Sequence, residues 1–317
     1  MGTHAEGRGC PAAAGPARAT ASDMKLCDEL LRGAIDLHQH AAPSLFERVT
    51  DDLGLAQEAR LRGMRGVLLK AHEQDTTGRA FLVQKQVPGV EVFGGIVLNW
   101  TAGGLNPHAV DASIKLGARM VWMPTMSAQH HIDFFGGSHY GRSMVAKRPL
   151  RAASSGISIL DEHGELVPEV PEILGLIAEA DICLSTGHLS HREIALLTRE
   201  ARKAGVRKLL VTHPDLHLSG ISIAEQKALA AEGAFLEKDL ITMMPAWQSL
   251  SLEAMAKSIR DVGAQHCILG TDFGQLHHPP PAEGLRMFIQ MLLERGITAE
   301  EIRTMVATNP ARLLGLA

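Results

Sequence analysis

The chain has 317 residues, enough to bury the core of one large α/β barrel or of two medium domains. Hydrophobic residues make up 45% and charged residues 21%, with a net charge of −4 and a pI near 6.5. That ordinary composition argues against a nucleic-acid or membrane-surface partner, and no apolar run approaches the ~18–20 residues that span a bilayer.

Cys10, Cys27, Cys183 and Cys267 form no CxxC pair, so neither a disulfide framework nor a thiolate zinc site is signalled. Cys183 and Cys267 fall in apolar strand-like runs, which predicts buried, reduced thiols and a cytoplasmic location. Residues 1–23 are rich in Ala, Gly, Pro, Arg and Thr, without hydrophobic periodicity and without the apolar core of a secretory signal. The expectation is a flexible, disordered or extended tail over 1–30, then a single unit over 31–317.

From residue 33 onward, strand-like and helical segments alternate. The first strand is Gly33–His38, continuing into Gln39-His40. A helix over Thr50–Arg62 follows, with Thr50-Asp51-Asp52 suited to its N-cap. Gly66–Leu69 is the second strand and runs into Lys70-Ala71-His72; Thr76–Gln86 is helix. Val90–Leu98 is the third strand, Pro107–Leu116 a helix, and Arg119–Met123 the fourth strand. Periodicity then fails from Met126 to about Glu165, a long excursion for a compact domain, with a small hairpin turning at Asp161-Glu162-His163-Gly164. Regularity returns with helix Val170–Ala180, strand Asp181–Ser185 and helix Ser190–Ala204, where Ser190 and Glu193 form a capping box. Strand Lys208–Val211, helix Ile223–Glu232, strand Ala234–Leu236, helix Leu252–Val262 and strand Cys267–Leu269 complete the pattern, and helices Glu283–Arg295 and Ala299–Ala307 close the chain. Near-continuous apolar strands separated by helices indicate a parallel sheet. Eight such units fit a closed (β/α)8 TIM barrel with a long insertion after its fourth strand. The alternative, an open doubly wound sheet, usually carries a glycine fingerprint after its first strand; here that strand ends in histidines.

Those histidines begin the chemistry. Residues two apart on a strand share a face, so His38 and His40 project side by side, as suits one divalent cation of borderline softness. In a barrel all strands end at one mouth. His188 ends the fifth strand, His213 the sixth and Asp272 the eighth, so four imidazoles and one carboxylate are predicted to converge.

HxH at the first strand end, single histidines at the fifth and sixth and an aspartate at the eighth resemble the amidohydrolase superfamily. The closing segment Thr308-Asn309-Pro310-Ala311-Arg312 is also similar to that superfamily's. The resemblance implies that His38 and His40 bind a first metal with Asp272, and that His188 and His213 bind a second or position nucleophile and substrate. It implies a divalent metal, zinc foremost, with Mn, Fe or Co permitted by the ligand types and one or two ions in all. A metal makes hydroxide available near neutral pH; Asp272 would shuttle the proton, and the metal or His213 would polarise the scissile carbonyl. One departure is plain: two-metal members usually carry a lysine or glutamate bridge at the fourth strand end, and here Trp122-Met123-Pro124-Thr125 stands there. Lys70, His72 and Glu237 are the nearest substitutes. Lys70 is open to three readings: a carboxylated bridge, a charge partner for an anionic substrate, or a rim residue.

Weaker candidates for substrate contact are His72, Trp100, His130 and His217. Arg142, Lys147 and Arg148 form either a solvated face or, in a lid loop, a partner for a carboxylate. The function expected is metal-dependent hydrolysis of an amide, cyclic amide or lactone bond in a small polar molecule. A decarboxylase or lyase on the same scaffold and a non-catalytic metal-binding barrel are the alternatives. Barrels of this type often pair, so a homo-oligomer is compatible.

Overall fold

The structure is a computed structural model that describes residues 21–141, 144–146 and 155–316. Its strands are β1 (Ile35–Gln39), β2 (Gly66–Leu69), β3 (Glu91–Phe93), β4 (Gly95–Val97), β5 (Met120–Trp122), β6 (Cys183–Ser185), β7 (Lys208–Val211), β8 (Phe235–Asp239) and β9 (Cys267–Gly270). All pair in parallel, β1 to β3 in one run and β4 to β9 in another. β3 and β4 are one stave interrupted at Gly94, where a Cβ would collide with the Thr76 and Thr77 backbone. At the other seam His40 N–H donates to the Phe273 carbonyl and Asp272 N–H to the His38 carbonyl, both at 2.8 Å. Eight staves therefore close on themselves as the (β/α)8 barrel that the alternation predicts.

Helices α1 (Ala21–Leu31), α2 (Asp52–Leu61), α3 (Thr77–Gln86) and α4 (Pro107–Lys115) precede the insertion. Within it lies α5 (Gln129–Phe135); α6 (Glu169–Ala180), α7 (His191–Lys203), α8 (Ile223–Ala231), α9 (Leu252–Val262), α10 (Pro281–Leu293), α11 (Ala299–Arg303) and α12 (Asn309–Leu314) follow. The Ser190–Glu193 capping box forms as expected. Three helices were not expected, α12 in the closing segment among them. α1 occupies the last part of the stretch read as a flexible tail, and Cys27, Leu30 and Leu31 on it are buried in the core. α5 has Ala128 as its N-cap, whose side chain offers no cap bond, so the usual start signal is missing. The hairpin turning at 161–164 is present as a bridge between Leu160 and Leu166.

Two apolar cores flank the sheet. The larger fills the space between staves and helices. The smaller lies inside the barrel, with Ile35, Leu37, Leu68, Trp122, Leu210 and Ile268 joined by Leu313 and Leu314 of α12. Continuing the inward series from Leu68, Phe235 and Ile268 by twos gives Lys70, then Glu237 and Asp239, then Asp272. β1 does not keep this period. Asp36 pairs with Val67 but Gln39 with Leu69, so one extra residue bulges out. The bulge lets His38 and His40 follow Ile35 and Leu37 on the inner face. The Asp36 carboxylate holds it, accepting from His38 N–H at 3.0 Å and from the Thr271 hydroxyl at 2.6 Å.

Candidate metal centre

Asp272 is the hub. Its Oδ1 lies 3.1 Å from His40 Nε2 and 3.2 Å from His38 Nε2. His40 Nδ1 is 3.1 Å from the Lys70 carbonyl oxygen, which can only accept, so Nδ1 carries the proton and Nε2 is bare. Burial pushes the His40 pKa down to about 3, so the ring is neutral. Burial opposes ionisation of Asp272, but His38 and His40 outweigh it and hold the carboxyl well below its usual range. A bare nitrogen and an ionised oxygen thus meet with no proton between them. A shared cation reconciles such a contact.

His38 is held from below. Its Nδ1 donates to Glu237 Oε2 at 2.9 Å and lies 3.4 Å from Asp239 Oδ2. Burial disfavours charge on this ring, yet Asp272, Glu237 and Asp239 prevail over it and over Lys70, so its pKa stands well above 6.5. Lys70 Nζ, wholly buried, sits 2.7 Å from His38 Nε2 and 5.7 Å from the Trp122 ring centre. Burial lowers its pKa despite the three carboxylates. Glu237 Oε1 and both Asp239 oxygens have no hydrogen-bond partner among the described residues. Burial and the neighbouring Glu237 raise the Asp239 pKa well above normal, so it holds a proton beside an ionised Glu237.

His188 and His213 face this group, their ring centres 5.0 Å apart and His213 5.9 Å from His38. His131 on α5 fixes the His188 tautomer. His131 Nε2 donates to the His139 carbonyl at 2.9 Å, so its Nδ1 accepts from His188 Nδ1, also at 2.9 Å. His188 Nε2 is left bare. Burial keeps His188 well below 6.5 and lowers His131 and His213 to about 4. His213 at φ +27° and Asp272 at φ +52° adopt left-handed backbone that costs these residue types energy. Gly270 lets the Asp239 carboxylate pass where a Cβ would collide with it.

Among the described residues two triplets place ligand atoms within 4.8 Å of one another: His38/His40/Asp272 and His38/Glu237/Asp239. In the second, His38 Nδ1 is already committed as a donor to Glu237, which orients the ring as outer partners of metal-bound imidazoles do. The first sets the bare His40 Nε2, the His38 Nε2 and a carboxylate oxygen at the 3.1–3.2 Å spacings that metal–ligand bonds of about 2.0–2.2 Å produce, and an ion there would take the place of the proton on His38 Nε2. The donor set fits a divalent ion.

The cleft above encloses about 430 Å³, including its opening to solvent, and is bordered by His38, His40, Lys70, His188, His213 and Asp272, all expected there. His72 also borders it, but both of its ring nitrogens are engaged by protein, Nδ1 with Thr125 and Nε2 with Tyr140. Trp100, His130 and His217, read as substrate contacts, do not border the cleft. Trp100 is exposed and donates from Nε1 to the Ser155 carbonyl. His130 Nε2 donates to the Leu218 carbonyl. His217 is exposed, while its neighbours Leu216 and Leu218 border the cleft. Arg142, Lys147 and Arg148 lie outside the described residues. Missed in the sequence were Asp239, whose i, i+2 spacing from Glu237 repeats the HxH signal, and Tyr140, the chain's single tyrosine.

Residues 33–237 match a family described as a family of unknown function, DUF6282, and the chain belongs to it. No curated protein matches the sequence. Among solved structures, an amidohydrolase from Pseudomonas aeruginosa superposes with a TM-score of 0.62 at 13% identity, covering 92% of this chain and 98% of that one. A lactonase from Listeria monocytogenes gives 0.57 at 13% identity, covering 90% and 95%. An amidohydrolase from Burkholderia multivorans with bound zinc gives 0.55 at 11% identity, covering 90% and 99%. At such identities the likeness is one of fold, and it is the amidohydrolase barrel that the strand-end pattern resembles.

Proposed function

We propose that this member of the family is a metal-dependent hydrolase that uses metal-activated water to cleave an amide, cyclic amide or lactone bond of a small polar substrate. The observation that carries the reading is the contact of the bare His40 nitrogen and the ionised Asp272 oxygen at 3.1 Å, with His38 completing the triad. The fold shared with an amidohydrolase and a lactonase supports it, and the zinc in one such relative favours zinc over Mn, Fe or Co.

His38, His40 and Asp272 would hold the ion. Bound there, it supplies Lewis acidity and lowers the pKa of a coordinated water from ~15.7 toward ~7. Asp272, ionised and facing the cleft, accepts the proton of the attacking water and returns it to the leaving group. Glu237 accepts the Nδ1–H of His38, so Nε2 is the nitrogen that would meet the ion, and His131 directs His188 Nε2 toward the cleft in the same way. His188 and His213 form the opposite wall, where His213 can polarise a carbonyl or both can hold a further ion. Lys70 Nζ, beside His38 in a buried pocket, is the group that would meet an anionic part of the substrate, whose charge would favour the ammonium form that burial disfavours. Leu216, Leu218, Ile241 and Trp247 line the wider part of the cleft and shed water around the scissile bond.

Elemental analysis of the purified chain, followed by chelation and assay on lactones, cyclic amides and acyl amides, tests this. At least one bound divalent ion and hydrolysis that chelation abolishes and zinc restores are expected. His38→Ala and His40→Ala are expected to lower metal content. Carbon dioxide released on turnover would replace the reading with decarboxylation, and activity untouched by chelation would end it.

A further inference from the structure

The hydroxyl of Tyr140 sits over the cleft at the end of a hydrogen-bond chain whose direction is fixed at its far end. Asn99, wholly buried, accepts at Oδ1 from the backbone N–H groups of Thr125 (2.8 Å) and Ser127 (3.1 Å). Its amide cannot be turned around, so Nδ2 is the donor, to the His72 carbonyl at 2.9 Å and to Thr125 Oγ1 at 2.7 Å. Thr125 Oγ1 therefore accepts from Asn99. The one further partner it has among the described residues is His72 Nδ1, at 2.9 Å. If His72 donated to Thr125, the threonine's own proton would be stranded at a site with 0% exposure. The hydroxyl instead donates to His72 Nδ1, and His72 carries its proton on Nε2. That nitrogen lies 3.0 Å from the Tyr140 hydroxyl and donates to it.

The consequence is at the cleft. Tyr140 Oη is already an acceptor, so its proton has no protein acceptor among the described residues. Unlike Thr125, Tyr140 borders the cleft, where a bound molecule can take that proton. We infer that the Tyr140 hydroxyl is a preset hydrogen-bond donor to the oxygen of the substrate's reacting carbonyl. Asn99, Thr125 and His72 act as positioning residues that deny the phenol the option of donating to protein. This rests on the hydrolase reading for the identity of the oxygen, but the direction of the chain does not. The ring itself is anchored by edge contacts with Phe46 (5.7 Å) and Trp247 (5.7 Å), so removing the hydroxyl alone leaves its packing in place. A donor held in place before charge develops needs no reorganisation when it does.

Two measurements on the full chain test it. In the zinc-loaded protein labelled with 15N-histidine, the signal lost in His72→Asn identifies His72, and its shifts are expected to report the Nε2–H tautomer. A Nδ1–H tautomer would overturn the relay. Binding of acetohydroxamate, a carbonyl-bearing zinc ligand, is then compared by calorimetry. Tyr140→Phe is expected to weaken it about tenfold at unchanged zinc content, one hydrogen bond to a developing charge. Thr125→Val should weaken it less and shift the His72 tautomer, and Thr125→Ser should restore both; packing alone would not produce that rescue. Equal affinity in Tyr140→Phe would overturn the donor role. If acetohydroxamate failed to bind the wild-type chain, both the metal reading and the donor's proposed target would fall, while the tautomer would still decide the relay.

Discussion

β8 carries two buried charged clusters, one on each face, and they are built to opposite rules. On the outer face Lys238 is completely satisfied: its three protons go to Asp215 (2.8 Å), Gln226 (2.5 Å) and Ser258 (2.7 Å). On the inner face Glu237 and Asp239, its immediate neighbours, leave three carboxylate oxygens without a hydrogen-bond partner among the described residues. Both clusters are shut away from solvent, so exposure does not distinguish them. Completeness does. A finished network holds two layers together, whereas an unfinished one lies directly beneath the His38, His40 and Asp272 group that suits a divalent ion.

The contrast is broken most forcefully at Asp272. Asp272→Asn keeps the shape and a residue type that tolerates left-handed backbone, but removes the proton acceptor. Turnover is expected to fall about 10²–10⁴-fold with the metal retained; steady-state kinetics beside elemental analysis would show it, and retained turnover would remove Asp272 from that role. Lys238→Met is the matching blow to the outer face. Leaving Asp215 buried without its cation should cost about 3–5 kcal/mol in urea unfolding while metal stoichiometry stays unchanged. A loss of metal in that variant would mean the two faces are not independent. A gentler probe is Glu237→Gln, expected to weaken metal affinity about 10–100-fold by loosening His38, as competition with a chelator would reveal.

The buried rings can also be tested with pH. His40 at about 3 and His131 and His213 at about 4 are lowered by burial from 6.5. The unfolded chain therefore binds more protons than the folded one between those limits, so their contribution is fully present above 6.5 and drains away as pH falls toward 4. Melting of the chelated protein should drop progressively from pH 7 to pH 5; a level melting temperature across that range would contradict the neutral, buried rings.

Much of this was legible in the chain. Period two made His38 and His40 share a face, and the apolar runs marked the eight staves. What the pattern concealed follows from physics it does not encode. The β1 bulge changes which residues face inward, and only the pairing of Gln39 with Leu69 reveals it. The apolar run bounds the seventh strand at Leu236; the strand continues to Asp239 because inner and outer clusters each take up their share of charge. α5 lies in an aperiodic loop with no side-chain cap, yet it brings His131 to His188. Trp100, His130 and His217 looked functional by type alone, and nothing in their spacing showed that they turn away from the cleft.

The left-handed backbone at His213 and Asp272 gives the site a thermodynamic signature of its own. Glycine at either position would relieve the torsion at the expense of the donor atom, so selection for heat resistance alone would erode the centre. A laboratory lineage evolved only to survive heating is expected to lose these two side chains early, and one held to catalysis should keep them and gain its robustness elsewhere.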